Sequence, residues 1–300
     1  MQIKKRFHGI VVPLVTPLTE KNALDPGAVE RIIENITRFE CMPFILGTTG
    51  EASSMPDPVK YNYIRKAASL KGKYQALYAG IGTNCLQDSI DLAKRCFSAG
   101  VDVAVATLPS YYSLTERQMM NYFEQLADGI EGPLMIYNIP ATTHMSIPLE
   151  LIDKLSHHEN IVGIKDSERS EERLKQSLEL WSRREDFSYF LGWAAKSAEA
   201  LANGCDGIVP STGNINPSVY FFLNAFVEKE DMDNAMMAQQ LSDQIGNLYQ
   251  TRRTLGESLA ALKLLMHSEG LCEPWMMPPL ERLSATEETK LKEAYAAIIS

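Results

Sequence analysis

Short apolar runs rich in β-branched residues recur along the chain, and most are followed by a stretch whose apolar positions repeat at helical spacing. The runs are GIVVPLVTP (9–17), FILGTTG (44–50), ALYAGIG (76–82), VDVAVATLP (101–109), LMIYNIP (134–140), IVGIKDS (161–167), YFLGW (189–193) and GIVPST (207–212). Helical periodicity marks 26–40, 57–70, 86–98, 115–128, 147–156, 170–182 and 195–203 between them. Continuous apolar runs are what strands buried on both faces require, and strands alternating with helices imply a parallel sheet. Eight βα units in about 220 residues fit an α/β fold of the closed (β/α)8 TIM-barrel type, which usually takes ~250. An open doubly wound sheet fits less well. It usually has fewer strands and, for dinucleotides, a G-x-G-x-x-G turn, of which GIGTNC at 80–85 supplies only two glycines.

From about residue 215 the pattern is helical throughout, over 217–228, 231–250, 255–269 and 286–298, with a proline-rich connection at 271–284. We therefore expect a barrel catalytic domain over 1–224 and a C-terminal helical extension over 225–300. No strong linker separates them.

Composition narrows the function classes. The chain has 300 residues, 45% hydrophobic and 22% charged, enough for a substantial core in a soluble enzyme. A net charge of −9 argues against a nucleic-acid partner, and the arginine pairs at 183–184 and 252–253 read as solvated helix faces. No stretch approaches the ~20 apolar residues of a membrane span. Pro13 and Pro17 interrupt the run after the basic N-terminal residues, and no small-residue cleavage site follows, so this segment reads as the opening strand rather than a signal peptide. Five cysteines (41, 85, 96, 205, 272) form no C-x-x-C and leave an odd count, which points to reduced thiols and a cytoplasmic location.

Catalytic groups of such barrels sit at the C-terminal ends of the strands. By that rule the candidates are Thr48, Thr49 and Glu51 after the second run, Tyr111 and Tyr112 after the fourth, and Tyr137 and Asn138 in the fifth. Lys165 and Asp166 end the sixth, and Ser211, Thr212 and Asn214 the eighth. Lys165 is the sharpest. Apolar walls disfavour an ammonium, so a lysine there can serve as an amine nucleophile that condenses with a ketone to an iminium. A structural lysine paired with Asp166 or Glu168 is the other reading of the same pattern. Tyr137, one strand earlier, suits a proton shuttle in the same mouth, or else a core tyrosine with a satisfied hydroxyl. GTTGE at 47–51 is a tight turn whose N–H groups and threonine hydroxyls could bind a carboxylate, or a turn without a ligand. His8, His144, His157, His158 and His267 form no metal-binding set, and no Walker A or G-x-S-x-G motif exists. We expect no metal and no cofactor.

Taken together, GTTGE (47–51), YNIP (137–140) and GIKDS (163–167), each at a predicted strand end, resemble the dihydrodipicolinate synthase/N-acetylneuraminate lyase family of class I aldolases. The resemblance covers nearly the whole chain. It implies a Schiff base between Lys165 and pyruvate or another 2-oxo acid, with Tyr137 as general acid/base. It also implies that Thr48 and Thr49 hold the 2-oxo acid carboxylate and relay protons. Tyr111 best matches the tyrosine that completes the relay, often across a subunit boundary, with Tyr112 as a rival. Gly47, Thr142, Gly192, Val209 and Ser211 take the remaining substrate-binding positions. The family is commonly tetrameric, which implies a homo-oligomer, a dimer or tetramer.

The departures carry information. Dihydrodipicolinate synthases place an arginine two residues after the proline of Y-N-x-P; YNIPATTH has Thr142 there, and a hydroxyl cannot supply a bidentate cationic fork. Sialic acid lyases usually follow the seventh-strand glycine with an acidic pair, where this chain has Trp193, Ala194 and Ala195. His144 stands where family members often have glycine, as a substrate contact or a surface loop residue. The expectation is a cytoplasmic lyase joining or cleaving pyruvate and an aldehyde, and not a true dihydrodipicolinate synthase. A 2-oxo-3-deoxy sugar acid dehydratase using the same lysine is the alternative, and a non-catalytic 2-oxo acid binder a more distant one.

Overall fold

A computed structural model of the protein describes residues 5–299 apart from Lys73 and Gln75. Eight strands, β1 (Gly9–Pro13), β2 (Met42–Ile45), β3 (Tyr78–Gly80), β4 (Val103–Thr107), β5 (Leu134–Asn138), β6 (Ile161–Asp166), β7 (Ser188–Leu191) and β8 (Gly207–Ile208), form a closed barrel in sequence order. The intervening helices are α1 (Pro26–Thr37), α2 (Asp57–Ser69), α3 (Leu86–Ala99), α4 (Glu116–Asp128), α5 (Pro140–Thr143), α6 (Leu149–Leu155), α7 (Glu171–Trp181) and α8 (Ser197–Ala202). Four more follow, α9 (Pro217–Glu228), α10 (Met232–Gln250), α11 (Leu255–Ser268) and α12 (Ala285–Ile299). The (β/α)8 architecture and the helical C-terminal segment match the expectation. The expected boundary after residue 224 falls within α9.

The ladders are shorter than the apolar runs that announced them. Pro13 has no N–H to donate, and β1 stops there although the apolar run continues to Pro17. The fifth run, read as extended to Pro140, instead breaks after Asn138 and turns into α5, with Pro140 at its first position. A proline pre-sets a helical φ and lacks the N–H that a first turn leaves orphaned, so it starts a helix as readily as it ends a strand. α1 is capped by Asp25, whose Oδ1 accepts from the N–H groups of Gly27 and Ala28 at 3.0 Å each. Its buried stripe of Ala28, Val29, Ile32, Ile33 and Ile36 follows the 3.6-residue period read from the sequence.

The chain divides into two compact units, Met1–Val11 with Ala76–Pro210, and Val12–Gln75 with Ser211–Ser300. In the first, register decides which side chains share a face. Thr107 pairs with Tyr137, Tyr137 with Lys165, and Lys165 with Phe190 across β4 to β7. Paired residues of a parallel sheet leave on the same side. The alternate positions face the helices: Tyr189 packs on Trp181 of α7 at 5.9 Å between rings, and Asp166 bonds Arg173 of α7. Lys165 and Tyr137 therefore face the barrel interior. Below them the Tyr78 ring lies 6.2 Å from Phe190 and 6.3 Å from Phe7. Gly207 is a required glycine, because a Cβ there would strike the Phe190 ring. Lys5 closes this end: its Nζ donates to the carbonyls of Trp181 and Phe187 at 2.7 and 2.9 Å and pairs with Asp206 at 2.7 Å.

In the second unit the chain leaving β1 is held by side chains. The Val15 N–H donates to Asn214 Oδ1 at 3.2 Å, and Asn214 Nδ2 donates to the carbonyls of Pro13 and Ser211, both at 2.8 Å. Asn214, a candidate by its place after the eighth run, is thus committed to backbone. Among the described residues, no helix is long and apolar enough to cross a membrane.

All five cysteines are free thiols, and only Cys85 is exposed. Burial pushes the Cys41, Cys96, Cys205 and Cys272 thiols up to about 12. Since the thiolate is the reactive form, we expect a disulfide reagent at mildly alkaline pH to titrate one thiol per native chain and all five after denaturation. A second fast-reacting thiol in the native protein would contradict this burial.

Candidate active site

The ends of β5 and β6 carry the centre of the site. Lys165 and Tyr137 are each 4% exposed, and the Lys165 Nζ lies 3.8 Å from the centre of the Tyr137 ring. The amine is thus held against an aromatic face at the interior mouth of the strands. The two carboxylates that offered a plain ion pair are engaged elsewhere. Asp166 Oδ2 accepts from Arg173 Nε at 2.6 Å, and its Oδ1 from Asn138 Nδ2 at 2.9 Å and the Glu168 N–H at 3.0 Å. Glu168 Oε2 accepts from Ser146 Oγ at 2.6 Å and Asn138 Nδ2 at 3.0 Å, and lies 3.5 Å from Arg173 Nε. Burial raises the Asp166 carboxyl above the usual carboxylate range, and Arg173 with the two amide donors offsets only part of that rise. Both its oxygens face donors only, so the network accommodates the carboxylate.

Asn138 is the hub of this network. It is fully buried, and its Oδ1 accepts from the Ile147 N–H at 3.1 Å while its amide joins Asp166 to Glu168. The α5 turn is thereby tied down. Thr142 is partly buried within it, its Oγ1 donating to the Ile139 carbonyl at 3.4 Å. His144 caps the turn in the left-handed conformation (φ 57°), exposed to solvent, with its N–H donating to the Pro140 carbonyl at 2.9 Å.

Gly192 follows β7 and donates its N–H to the Asp166 carbonyl at 2.6 Å. Any side chain there would collide with Ser167 Oγ, so glycine lets the ends of β6 and β7 meet. The segment after it, Ala194–Lys196, is a single 3-10 turn. Val209 is buried, its N–H donating to the Leu191 carbonyl at 2.8 Å. Tyr111 and Tyr112 behave differently. They are 77% and 73% exposed, packed edge to face at 4.9 Å, and they line an open groove of about 590 Å³ with Asn84, Pro109 and Tyr122. Asn84 Oδ1 holds their loop by accepting from the N–H groups of Ser110 and Tyr111 at 2.8 and 3.2 Å.

The second unit holds the other expected positions. In GTTGE the N–H groups of Gly50, Glu51 and Ala52 bond back to Gly47, Thr48 and Gly47 at 3.0, 3.1 and 3.4 Å. Those donors are spent on the turn itself. Glu51 is an anchor: its left-handed backbone (φ 56°) buries the carboxylate, whose Oε1 pairs with Lys263 Nζ at 2.5 Å and whose Oε2 accepts from the Met277 N–H at 2.8 Å. Lys263 also donates to the Trp275 carbonyl at 2.7 Å. After β8, Ser211 Oγ lies 2.7 Å and Thr212 Oγ1 3.1 Å from the Tyr249 hydroxyl of α10. Among the described residues, no group of three or more His, Cys, Asp or Glu could hold a metal ion.

The sequence model of the dihydrodipicolinate synthetase family matches residues 6–298. The chain belongs to this family. Among its relatives, the 4-hydroxy-tetrahydrodipicolinate synthase of Staphylococcus saprophyticus is 28% identical over 299 residues, covering 96% of each chain. The enzyme of the same name from Acidiphilium cryptum is 30% identical over 78% of this chain and 80% of its own. Among solved structures, YagE, a prophage protein of the dihydrodipicolinic acid synthase family from E. coli K12 in complex with pyruvate, superposes with a TM-score of 0.92 at 26% identity. That match covers 98% of this chain and 99% of the other. The dihydrodipicolinate synthase of Bacteroides thetaiotaomicron gives the same TM-score and identity. Lyase chemistry on a TIM barrel is the family's common ground with this protein.

Arg173, Lys263 and Tyr249 support the expected positions but were not candidates. Each lies on a helix with ordinary periodicity, and nothing local marks its long-range partner. Lys263→Met would leave the Glu51 carboxylate buried and uncompensated, so we expect a loss of about 3–5 kcal/mol in denaturant unfolding. A loss below about 1 kcal/mol, the range of a surface pair, would show that the pair is not what holds the turn.

Proposed function

We propose that this protein is a class I lyase that forms an imine between Lys165 and pyruvate or a related 2-oxo acid, and so joins or cleaves a carbon–carbon bond to an aldehyde. The observation that carries the reading is the Lys165 amine 3.8 Å from the Tyr137 ring at paired positions of β5 and β6. In the cleavage direction the amine attacks the C2 carbonyl, and loss of water from the carbinolamine gives the iminium. Tyr137 takes the proton of the C4 hydroxyl as the C3–C4 bond breaks, and the aldehyde leaves. The bonding pair passes into the iminium, giving an enamine. Protonation at C3 and hydrolysis then release pyruvate and return the amine.

Thr48 and Thr49 would hold the 2-oxo acid carboxylate, with Gly47, Gly192, Val209 and Ser211 shaping the site around it. Tyr111 would complete the proton relay, and a second copy of the chain covering the exposed Tyr111–Tyr112 loop suits a homo-oligomer. Thr142 supports an aldehyde without a carboxylate at that position, and therefore a reaction other than dihydrodipicolinate synthesis.

Borohydride reduction in the presence of pyruvate, followed by peptide mass spectrometry, is the direct test. We expect one adduct, on Lys165, absent from Lys165→Ala. Tyr137→Phe should still bind pyruvate but lower kcat by about 10²–10⁴-fold, the range for losing a general acid/base. An adduct elsewhere, or none on the folded protein, would remove the central step.

A further inference from the structure

The carboxylate next to Lys165 in sequence is turned onto α7, and the residue that holds it there has no role in the chemistry described above. We propose that Arg173 is a positioning residue for the Lys165 amine: by binding the Asp166 carboxylate on the helix side of β6, it offsets a negative charge that would otherwise favour the ammonium. The inference rests on Lys165 being the Schiff-base lysine.

Three observations carry it. Asp166 and Lys165 are consecutive on β6 and leave on opposite faces, so the carboxylate cannot be moved far from the amine; only its charge can be cancelled. Asp166 is buried and Arg173 half-buried, with side chains 1% and 10% exposed and a 2.6 Å contact, so water screens neither charge well. The Asp166 oxygens are held by Arg173, Asn138 and the Glu168 N–H, a set of donors suited to an ionised carboxylate. An aspartate is costly to bury, and its position beside a nucleophilic amine makes the cation opposite it consequential for that amine.

The charged and titratable groups around the pair are these. β5 presents Tyr137 to Lys165 and Asn138 to Asp166, and β7 presents Phe190 to Lys165. On the helix side, β7 presents Tyr189, whose phenol burial pushes up, with Asp166 and Cys205 adding to the push. α7 presents Arg173, while Glu171 and Glu172 of its first turn are exposed and Glu171 pairs with Lys196 at 2.7 Å. Glu168 lies beside Arg173, Arg169 is exposed after β6, and His144 is exposed after β5. Within this set, Arg173 is the cation in contact with the Asp166 carboxylate.

The test compares Arg173→Gln with Asp166→Asn, using competitive acetylation of Lys165 by acetic anhydride across a pH series, read by peptide mass spectrometry. Arg173→Gln leaves the negative charge uncompensated, which favours the ammonium, so the labelling midpoint of Lys165 should rise by about one pH unit. Asp166→Asn removes the nearest negative charge and leaves Arg173 beside Glu168 alone, so the midpoint should fall. Arg173→Lys keeps the charge and should hold the midpoint at the wild-type value. A merely structural role predicts no such opposition of sign. The inference is overturned if either folded variant, checked by circular dichroism, fails to shift in its stated direction. If one variant does not fold, the sign of the other decides. Pyruvate trapping on the wild-type protein separately tests Lys165 as the Schiff-base lysine, because the acetylation midpoints need no turnover.

Discussion

A lysine inside a closed barrel depends on where the neighbouring negative charge goes. Lys165 follows Ile164 and precedes Asp166 on a strand whose neighbours on both sides are also strands, so the carboxylate has one other face to use. That face meets α7, and α7 supplies Arg173. The arrangement costs the burial of an ion pair, and such pairs are weak contributors to stability because desolvation offsets most of their attraction. What it provides is a defined side for each charge. The same buried pair, through Asn138 and Glu168, ties the ends of β5 and β6 together, and these ends carry Tyr137 and Lys165.

The second unit meets a similar problem in a similar way. The GTTGE turn spends its later N–H groups on itself and roots Glu51 in α11 through Lys263. Ser211 and Thr212 are braced by Tyr249 from α10, so the C-terminal helices reach the segment after β8 with a hydroxyl as well as an apolar face. Polar groups at the ends of barrel strands stay in place because helices far along the chain hold them by buried hydrogen bonds, each costly to leave unmade.

Most of the architecture was legible in the residues. Strands buried on both faces must be continuously apolar, and that alone located all eight strands and separated them from amphipathic helices. The errors were at the ends. Apolar residues continue past the last strand residues, Pro13 and Asn138, because the mouth of a barrel is itself packed, and composition does not record where a strand ends. Lys165 and Tyr137 could be named because an amine and a phenol at strand ends are unusual there.

The alternation of apolar runs and periodic segments by itself determined the (β/α)8 order, since parallel strands need crossover helices and only a closed sheet buries eight of them without edges. It also determined which residue types stand at the strand ends. Only the tertiary structure decided what each contacts. Asp166 and Glu168 were equal claimants on Lys165 until the fold brought Arg173 and Asn138 to them. Glu51 was a candidate until Lys263, more than two hundred residues on, was found beside it. Ion pairing depends on distance and burial, which long-range packing sets and local sequence does not carry.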